Sequence, residues 1–227
     1  MTSILKADTI QDTDGNNIIN ESGNTITIGA SGDTVNIPSG TTFNVQGTAG
    51  TGFTDPGLTH ISSQTVSSGV SSVDFLSSFS STYDNYILYY SDLGVATDNV
   101  DLYMRVASST GTISSADYVW GISESRSNNG PTGDYSTGAA QFHLTYTNLG
   151  NAATESSGGE IIFFGTQDTT HHKMVKSINN GMSNGSDALG SRMSGSCKTT
   201  SALVGFTIYA SSGNIDSGKF TLFGVKK

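Results

Sequence analysis

The sequence has one cysteine, few basic residues and no long hydrophobic run, and each of these shortages excludes a class of protein. Cys197 has no second cysteine with which to form an intrachain disulfide, and no spacing of Cys and His matches a zinc site. No segment approaches the roughly 20 apolar residues that span a bilayer, and residues 1–20 lack the basic start and apolar run of a signal peptide. We therefore expect no membrane insertion, no disulfide and no bound metal or other cofactor.

Charge is also scarce, and it has the wrong sign for nucleic acid. Lys and Arg number 10 against 19 Asp and Glu, which gives a formal net charge of −9. A nucleic-acid partner needs a basic stripe that releases counterions from its phosphates, so we expect none here. Because only 13% of residues are charged, the chain also lacks the high charge that keeps polar chains disordered. We expect an ordered chain, whose abundant Ser, Thr, Gly and Asn favour turns and strands over helices.

A short unit repeats near the N-terminus, at Asn24–Gly29, Asp33–Pro38 and Thr41–Gln46. In each unit two apolar residues alternate with polar ones, so both must lie on one face of a strand. These six residues are Ile26, Ile28, Val35, Ile37, Phe43 and Val45. Burying each stabilises by roughly 1.5 to 3 kcal/mol, whereas ordering each backbone residue costs roughly 1 to 2 kcal/mol. A single copy of this segment should therefore not be stably folded. We predict a homotrimeric β-stem over residues 21–46 in which three copies bury these rows. The alternative is a loosely attached N-terminal arm.

Residues 47–58 are rich in Gly and predict a linker, and residues 59–227 carry a different pattern. Strands with alternating apolar residues are predicted at 100–106, 141–146, 160–164, 203–210 and 219–225, together with one short helix over 73–79. The residues predicted to face inward are Val100, Leu102, Met104, Val106, Phe142, Leu144, Tyr146, Val204, Phe206 and Ile208, with His143 facing water. The sequence thus predicts an all-β protein whose short N-terminal trimeric β-stem precedes a C-terminal antiparallel β-sandwich of the jelly-roll sort.

Two motifs suggest a catalytic or metal-binding site, but the residues around each of them do not support one. Gly181–Gly185 matches the G-x-S-x-G pattern of a hydrolase, but that pattern needs a following helix, and Asn180-Gly181 and Asn184-Gly185 indicate hairpin turns instead. His171 and His172 are adjacent and would point to opposite sides of a strand, although a trimer axis would bring together three copies of one of them. We expect no enzyme, no catalytic residue and no metal ligand.

The long segment of residues 118–138 predicts an exposed recognition loop. It holds the only tryptophan together with amide, carboxylate and guanidinium groups of the kind that bind sugars. The candidate receptor contacts are Trp120, Arg126, Asn128, Asn129, Asp134 and Tyr135. Two alternatives stay open: Trp120 packs in the core, or Glu124 and Asp134 act as a carboxylate pair that cleaves polysaccharide.

Several segments resemble a known group of proteins. Ser3–Ile19 resembles the N-terminal segment of tail-fibre and virion structural proteins of marine bacteriophages. Tyr83–Leu93 followed by Val100–Val106 resembles the start of their C-terminal sandwich, and Gly218–Val225 resembles its last strand. The resemblance implies that residues 1–20 attach to other virion proteins and that residues 59–227 face the host. It also implies a protein made in the host cytoplasm and located in the virion, on the tail or else on the capsid surface.

Three functions follow as expectations. The first is a trimeric tail fibre or short spike that attaches by its N-terminus and adheres to a bacterial surface glycan through its C-terminal domain. The second is a purely architectural virion component, such as a capsid-surface fibre or tail adaptor. The third is a polysaccharide-degrading tailspike.

Overall fold

The computed structural model describes residues 9–11, 13, 17–22, 25–28, 32, 34–36, 57–146 and 148–226. The chain divides into two units, Met1–Thr54 and Asp55–Lys227. All regular structure in the described ranges is β-strand, so the predicted all-β class is confirmed. No helix long and apolar enough to cross a membrane occurs in this part of the chain.

The N-terminal unit contains a small antiparallel meander. Its strands are β1 (Thr9–Gln11), β2 (Asn17–Ser22) and β3 (Thr25–Ile28), in the order β1-β2-β3. Strand β2 crosses the boundary between residues 20 and 21 at which the attachment segment was expected to end, because it pairs with β1 on one side and β3 on the other.

The structure agrees with the predicted strand in only one of the repeat units that it describes. The first lies in β3, which contains Ile26 and Ile28. The second was expected to form a strand, but residues 34–36 form none and are exposed, because no described strand lies beside them to accept or donate ladder hydrogen bonds. The remaining residues of the predicted rows, Ile37, Phe43 and Val45, lie outside the described residues. The trimeric stem stays a prediction.

The C-terminal unit is a β-sandwich of two antiparallel sheets. Its strands are β4 (Leu58–Val66), β5 (Val73–Asp74), β6 (Asn85–Val95), β7 (Leu102–Ser108), β8 (Gly111–Thr112), β9 (Tyr118–Arg126), β10 (Gly130–Ala139), β11 (Phe142–His143), β12 (Ser157–Phe164), β13 (Lys173–Met182), β14 (Ala188–Cys197), β15 (Leu203–Ala210) and β16 (Ile215–Val225). The large sheet has eight strands in the order β10-β9-β14-β13-β12-β6-β16-β4, and the small sheet has the order β11-β7-β15-β5, with β8 beside β7.

Alternating apolar residues build the core between the sheets, as a period of two requires. An aromatic cluster joins the layers: Phe163 of the large sheet packs against Phe206 of the small sheet, with ring centroids 4.7 Å apart, and Phe79 contacts both rings. Because the small sheet covers only one face of the large one, the opposite face has no layer above it among the described residues of the Asp55–Lys227 unit. We call this the outer face.

The helix predicted over residues 73–79 does not form. Val73–Asp74 pairs with β15 as strand β5, and the backbone N–H groups of Phe75 and Phe79 donate to the carbonyls of Phe206 and Val204. Docking onto the edge of the small sheet satisfies these donors and buries both phenylalanines, which outweighs the local helical pattern.

Other strand predictions are confirmed with local shifts. The predicted strand 203–210 matches β15, but Leu203 is buried where Val204 was expected, because a bulge between Leu203 and Gly205 changes the register. The inward row of Val100, Leu102, Met104 and Val106 is buried as predicted.

The predicted strand 141–146 shrinks to Phe142–His143. Beyond His143 the chain still runs beside β7: the Leu144 backbone N–H donates to the Leu102 carbonyl, and the Leu102 N–H donates to the Thr145 hydroxyl. Phe142 and Leu144 are buried as predicted, and the Asn179 side chain on β13 donates to the Leu144 carbonyl.

Candidate functional site

The segment predicted as a recognition loop is a β-hairpin at the edge of the large sheet. Strands β9 and β10 pair in register from Gly130 opposite Arg126 to Ser136 opposite Trp120. The alternation of Tyr118, Trp120 and Ile122 with smaller residues is the period-two pattern that makes β9 a strand. The prediction of a loop is therefore wrong.

Trp120 is a packing residue in this structure. Its side chain is only 6% exposed, its Nε1 donates to the Gln141 carbonyl at 3.0 Å, and its indole stacks on the imidazole of His143. The core alternative for Trp120 is thus confirmed. His143, expected to face water, is half-buried because Trp120 covers one face of its ring and Tyr103 covers the other.

The other predicted receptor contacts do not share one surface. Arg126 forms an ion pair with Glu124 at 3.0 Å, Asn128 donates to Asp187, and Asn129 is exposed in the hairpin turn. The register places Asp134 on the inner side of the large sheet and Tyr135, which is 75% exposed, on the outer face. Of the six residues only Tyr135 is presented on the outer face of a strand.

Glu124 is a buried structural anchor. One carboxylate oxygen accepts from the Ser191 hydroxyl at 2.6 Å and from the Tyr146 backbone N–H at 3.3 Å, and the other pairs with Arg126. One oxygen therefore ties the chain at Tyr146 to the large sheet, and the other is held by Arg126. This arrangement does not favour a role for Glu124 and Asp134 as an acid pair.

The G-x-S-x-G segment forms part of a β-hairpin. The Ser183 side chain is buried in the turn between β13 and β14, where its Oγ accepts from the N–H groups of Gly185 and Asp187. Strand β14 follows the turn, so the helix of a nucleophile elbow is not formed. The turn predicted at Asn184-Gly185 is confirmed, whereas Asn180 and Gly181 lie within β13.

The adjacent histidines are exposed in the turn before β13. His171 Nδ1 lies 2.7 Å from a carboxylate oxygen of Asp168. Hydrogen bonds from the Thr170 backbone N–H and then from His171 lower the pKa of Asp168 to about 2. In the described ranges, no three His, Cys, Asp or Glu side chains lie together as a metal site would require.

Two adjoining depressions on the outer face form the strongest candidate site, and we call them together the polar trough. The first has a volume of about 260 Å³ and is lined by Ser123, Ser125, Ile178, Asn180, Gly190 and Arg192. The second has a volume of about 510 Å³ and is lined by Ser91, Asp92, Gly158, Asn180 and Met182. Asn180 belongs to both and marks the place where they meet.

Strand register explains why the trough lies there. Across β12, β13, β14 and β9, Gly158 pairs with Asn180, Asn180 with Gly190, and Gly190 with Ser125, so small side chains form one row perpendicular to the strands. The next row carries the larger Glu160, Ile178 and Arg192, which stand higher above the sheet. The height difference between the rows produces the depression.

Free polar groups line the trough. Ser123, Ser125 and Asn180 form no side-chain hydrogen bond with any other residue of the described part, so their hydroxyl and amide groups are available to a ligand. The exposed guanidinium of Arg192 has no ion-pair partner there either, whereas Lys219 pairs with Asp92 at 3.0 Å. Sequence reasoning missed this row because its residues come from separate strands, and only the register brings them together.

Comparisons with protein families, with curated proteins and with solved structures found no match.

Proposed function

We propose that this protein is a homotrimeric fibre-like structural component of a bacteriophage virion that attaches by its N-terminal unit and adheres to a host surface glycan through its sandwich. The observation that carries the adhesive role is the polar trough, because hydroxyl, amide and guanidinium groups without internal partners stand on an uncovered sheet face. The position in the virion rests on the resemblance of Ser3–Ile19 and Gly218–Val225 to marine phage fibres.

Trimer formation is supported by apolar side chains that one copy leaves exposed. Ile28 exposes 58% of its side chain and Val35 exposes 60%, and both belong to the alternating rows of the N-terminal repeat. Symmetric association of three copies would bury such rows. It would also give each trimer three polar troughs, so that three individually weak glycan contacts together produce firm attachment.

A non-enzymatic role is supported by what the candidate catalytic groups do. The Ser183 hydroxyl accepts hydrogen bonds within its own turn, and the Glu124 carboxylate is fully engaged by Ser191, Tyr146 and Arg126. Neither group is presented to a substrate.

The architectural role is the second candidate, and one observation favours it. Phe164 and Met174 are neighbours on adjacent strands of the outer face and expose 42% and 59% of their side chains. An exposed apolar pair on the same sheet face as the polar trough would suit contact with another virion protein.

Three measurements on the full chain test the proposal. Light scattering should give three times the chain mass of 23.6 kDa. Gold-labelled antibody against the chain should mark intact virions, and the same antibody should block adsorption of the phage to its host. Labelling without blocking would favour the architectural role, and a monomer that labels no virion would overturn the proposal.

A further inference from the structure

We infer that the polar trough binds an acidic glycan, with Arg192 binding a sugar carboxylate and with Ser123, Ser125 and Asn180 binding sugar hydroxyls. This inference rests on the proposed adhesive function and names the class of its ligand.

The size of the trough fits a saccharide chain. Drug-sized ligands occupy pockets of about 300–1,000 Å³, and the first depression, at about 260 Å³, is suited to one sugar ring. The second depression continues from it through Asn180 with a further volume of about 510 Å³. A ligand that fills both must be extended along the row of small residues, as a linear glycan is.

The lining selects a ligand rich in hydroxyl groups. Serine hydroxyls donate and accept, and the Asn180 amide offers two donors and an acceptor, so together they match the mixed donors and acceptors of a sugar. Gly190 leaves the floor open between Asn180 and Ser125. An apolar ligand would leave these groups without partners, which is costly.

Charge then selects an acidic ligand. The chain has a net charge of −9, yet Arg192, Lys176 and Lys219 all lie on the outer face of the large sheet. Lys219 is already paired with Asp92, whereas Arg192 and Lys176 form no ion pair within the described residues.

The nearest acid in the Arg192 row does not neutralise it. Glu160 stands on β12 and Arg192 on β14, with β13 and Ile178 between them, so two strand spacings of roughly 4.8 Å separate their backbones. The planar guanidinium of Arg192 binds a carboxylate through two parallel hydrogen bonds, which a lysine in its place would not reproduce. A carboxylated sugar therefore satisfies both the free guanidinium and the free hydroxyls.

The test measures binding of the full chain to polygalacturonate, with dextran as the neutral polysaccharide and dextran sulfate as a polyanion without carboxylates. Arg192→Gln should weaken polygalacturonate binding by about tenfold, the size expected for losing a charge-assisted hydrogen bond. Lys226→Gln removes the same charge at the exposed C-terminal end and should leave binding within about twofold of the parent.

A steric pair of variants tests the location. A Cβ added at Gly190 would meet only Asn180 Oδ1, at 3.5 Å, and the Asn179 carbonyl, at 3.9 Å, so Gly190→Val should fold and fill the trough. Gly121 lies on the same outer face with no atom within 4 Å of an added Cβ, so Gly121→Val is the matched control. Circular dichroism and thermal unfolding of all four variants verify their folds.

Selective weakening by Arg192→Gln and Gly190→Val supports the inference. Equal weakening by both glutamine variants, equal binding to dextran sulfate, or unchanged binding in Gly190→Val would overturn it. The two proposals can fail separately. If the antibody blocks phage adsorption but the chain does not bind polygalacturonate, only the acidic class of the ligand is overturned. A chain that binds polygalacturonate through Arg192 but marks no virion loses the virion role.

Discussion

The imidazole of His143 stacks on the indole of Trp120, with ring centroids 4.3 Å apart and ring planes inclined by 25°. Tyr103 covers the other face of the same imidazole, also at 4.3 Å. Trp120 belongs to the large sheet and His143 to the small one, so this contact joins the two sheets at their edge. Stacking covers one face of the Trp120 indole, and burial leaves only 6% of this residue exposed to a sugar.

Replacing Trp120 should therefore affect stability and leave glycan binding alone. Trp120→Ala should lower the free energy of unfolding by about 3 to 5 kcal/mol, the range for large aromatic residues in a core, and Trp120→Phe should lower it by less. Urea unfolding followed by far-UV circular dichroism measures the change, since the variants lack the only tryptophan. Loss of polygalacturonate binding by a folded Trp120→Phe chain would contradict this assignment.

Much of the sandwich was predictable from the sequence, because period-two alternation acts locally. The bounds of β15 and the buried row from Val100 to Val106 follow directly from it. The Leu203 bulge and the docking of Phe75 and Phe79 were not predictable, since both depend on which strand lies next to them.

The candidate site was harder to predict from the sequence than the sandwich. Trp120, Asp134 and Tyr135 are close in sequence, but neighbouring strand residues point to opposite sides, so proximity in sequence did not make a surface. Ser125 is far in sequence from Asn180 and Gly190 but lies directly beside Gly190 in the sheet. No local pattern encodes that register.

His143 should make the protein sensitive to acid. Burial lowers the pKa of His143 below its ordinary value. The negative charge of Asp134 raises this pKa but only partly offsets the effect of burial. The unfolded chain then binds a proton at a higher pH than the folded chain does, so stability falls as pH drops below about 6.5.

The variant His143→Gln should flatten this dependence. Free energies of unfolding from urea titrations at pH 7 and pH 5 would differ less in the variant than in the parent, whatever the variant's absolute stability. His172→Gln, in an exposed turn, is the control and should keep the parent's slope. An unchanged slope in His143→Gln would refute the assignment.

Asp101 should have the opposite effect on stability, which it should increase at acidic pH. Burial raises the pKa of Asp101 to about 6, and the nearby polar groups of Asn148 and Tyr103 only partly counter it. Its Oδ1 is buried without a hydrogen-bond partner in the described part of the chain. Because the folded-state pKa lies above the unfolded value, the associated stability is present below about pH 4 and is lost as pH rises through about 6.

Asp101→Asn removes the charge and should stabilise the protein at pH 8 by about 1 kcal/mol, while changing little at pH 4. Asp98→Asn, in an exposed turn, makes the same chemical change without burial and should have no such effect. Thermal unfolding at both pH values compares the three proteins. A stabilisation of Asp101→Asn that is equal at pH 4 and pH 8 would show that its ionisation is not the cause.

Cys197 should be inert until the sandwich opens. Its side chain is fully buried on β14 opposite Tyr118 and Lys173, and burial raises the pKa of its thiol to about 11. Because the thiolate is the reactive form, a chromogenic disulfide reagent at pH 8 should release no product from the folded protein and one equivalent per chain in concentrated urea. A folded chain that reacts at the rate of the unfolded one would place Cys197 at the surface and contradict the packing of β14 against β9 and β13.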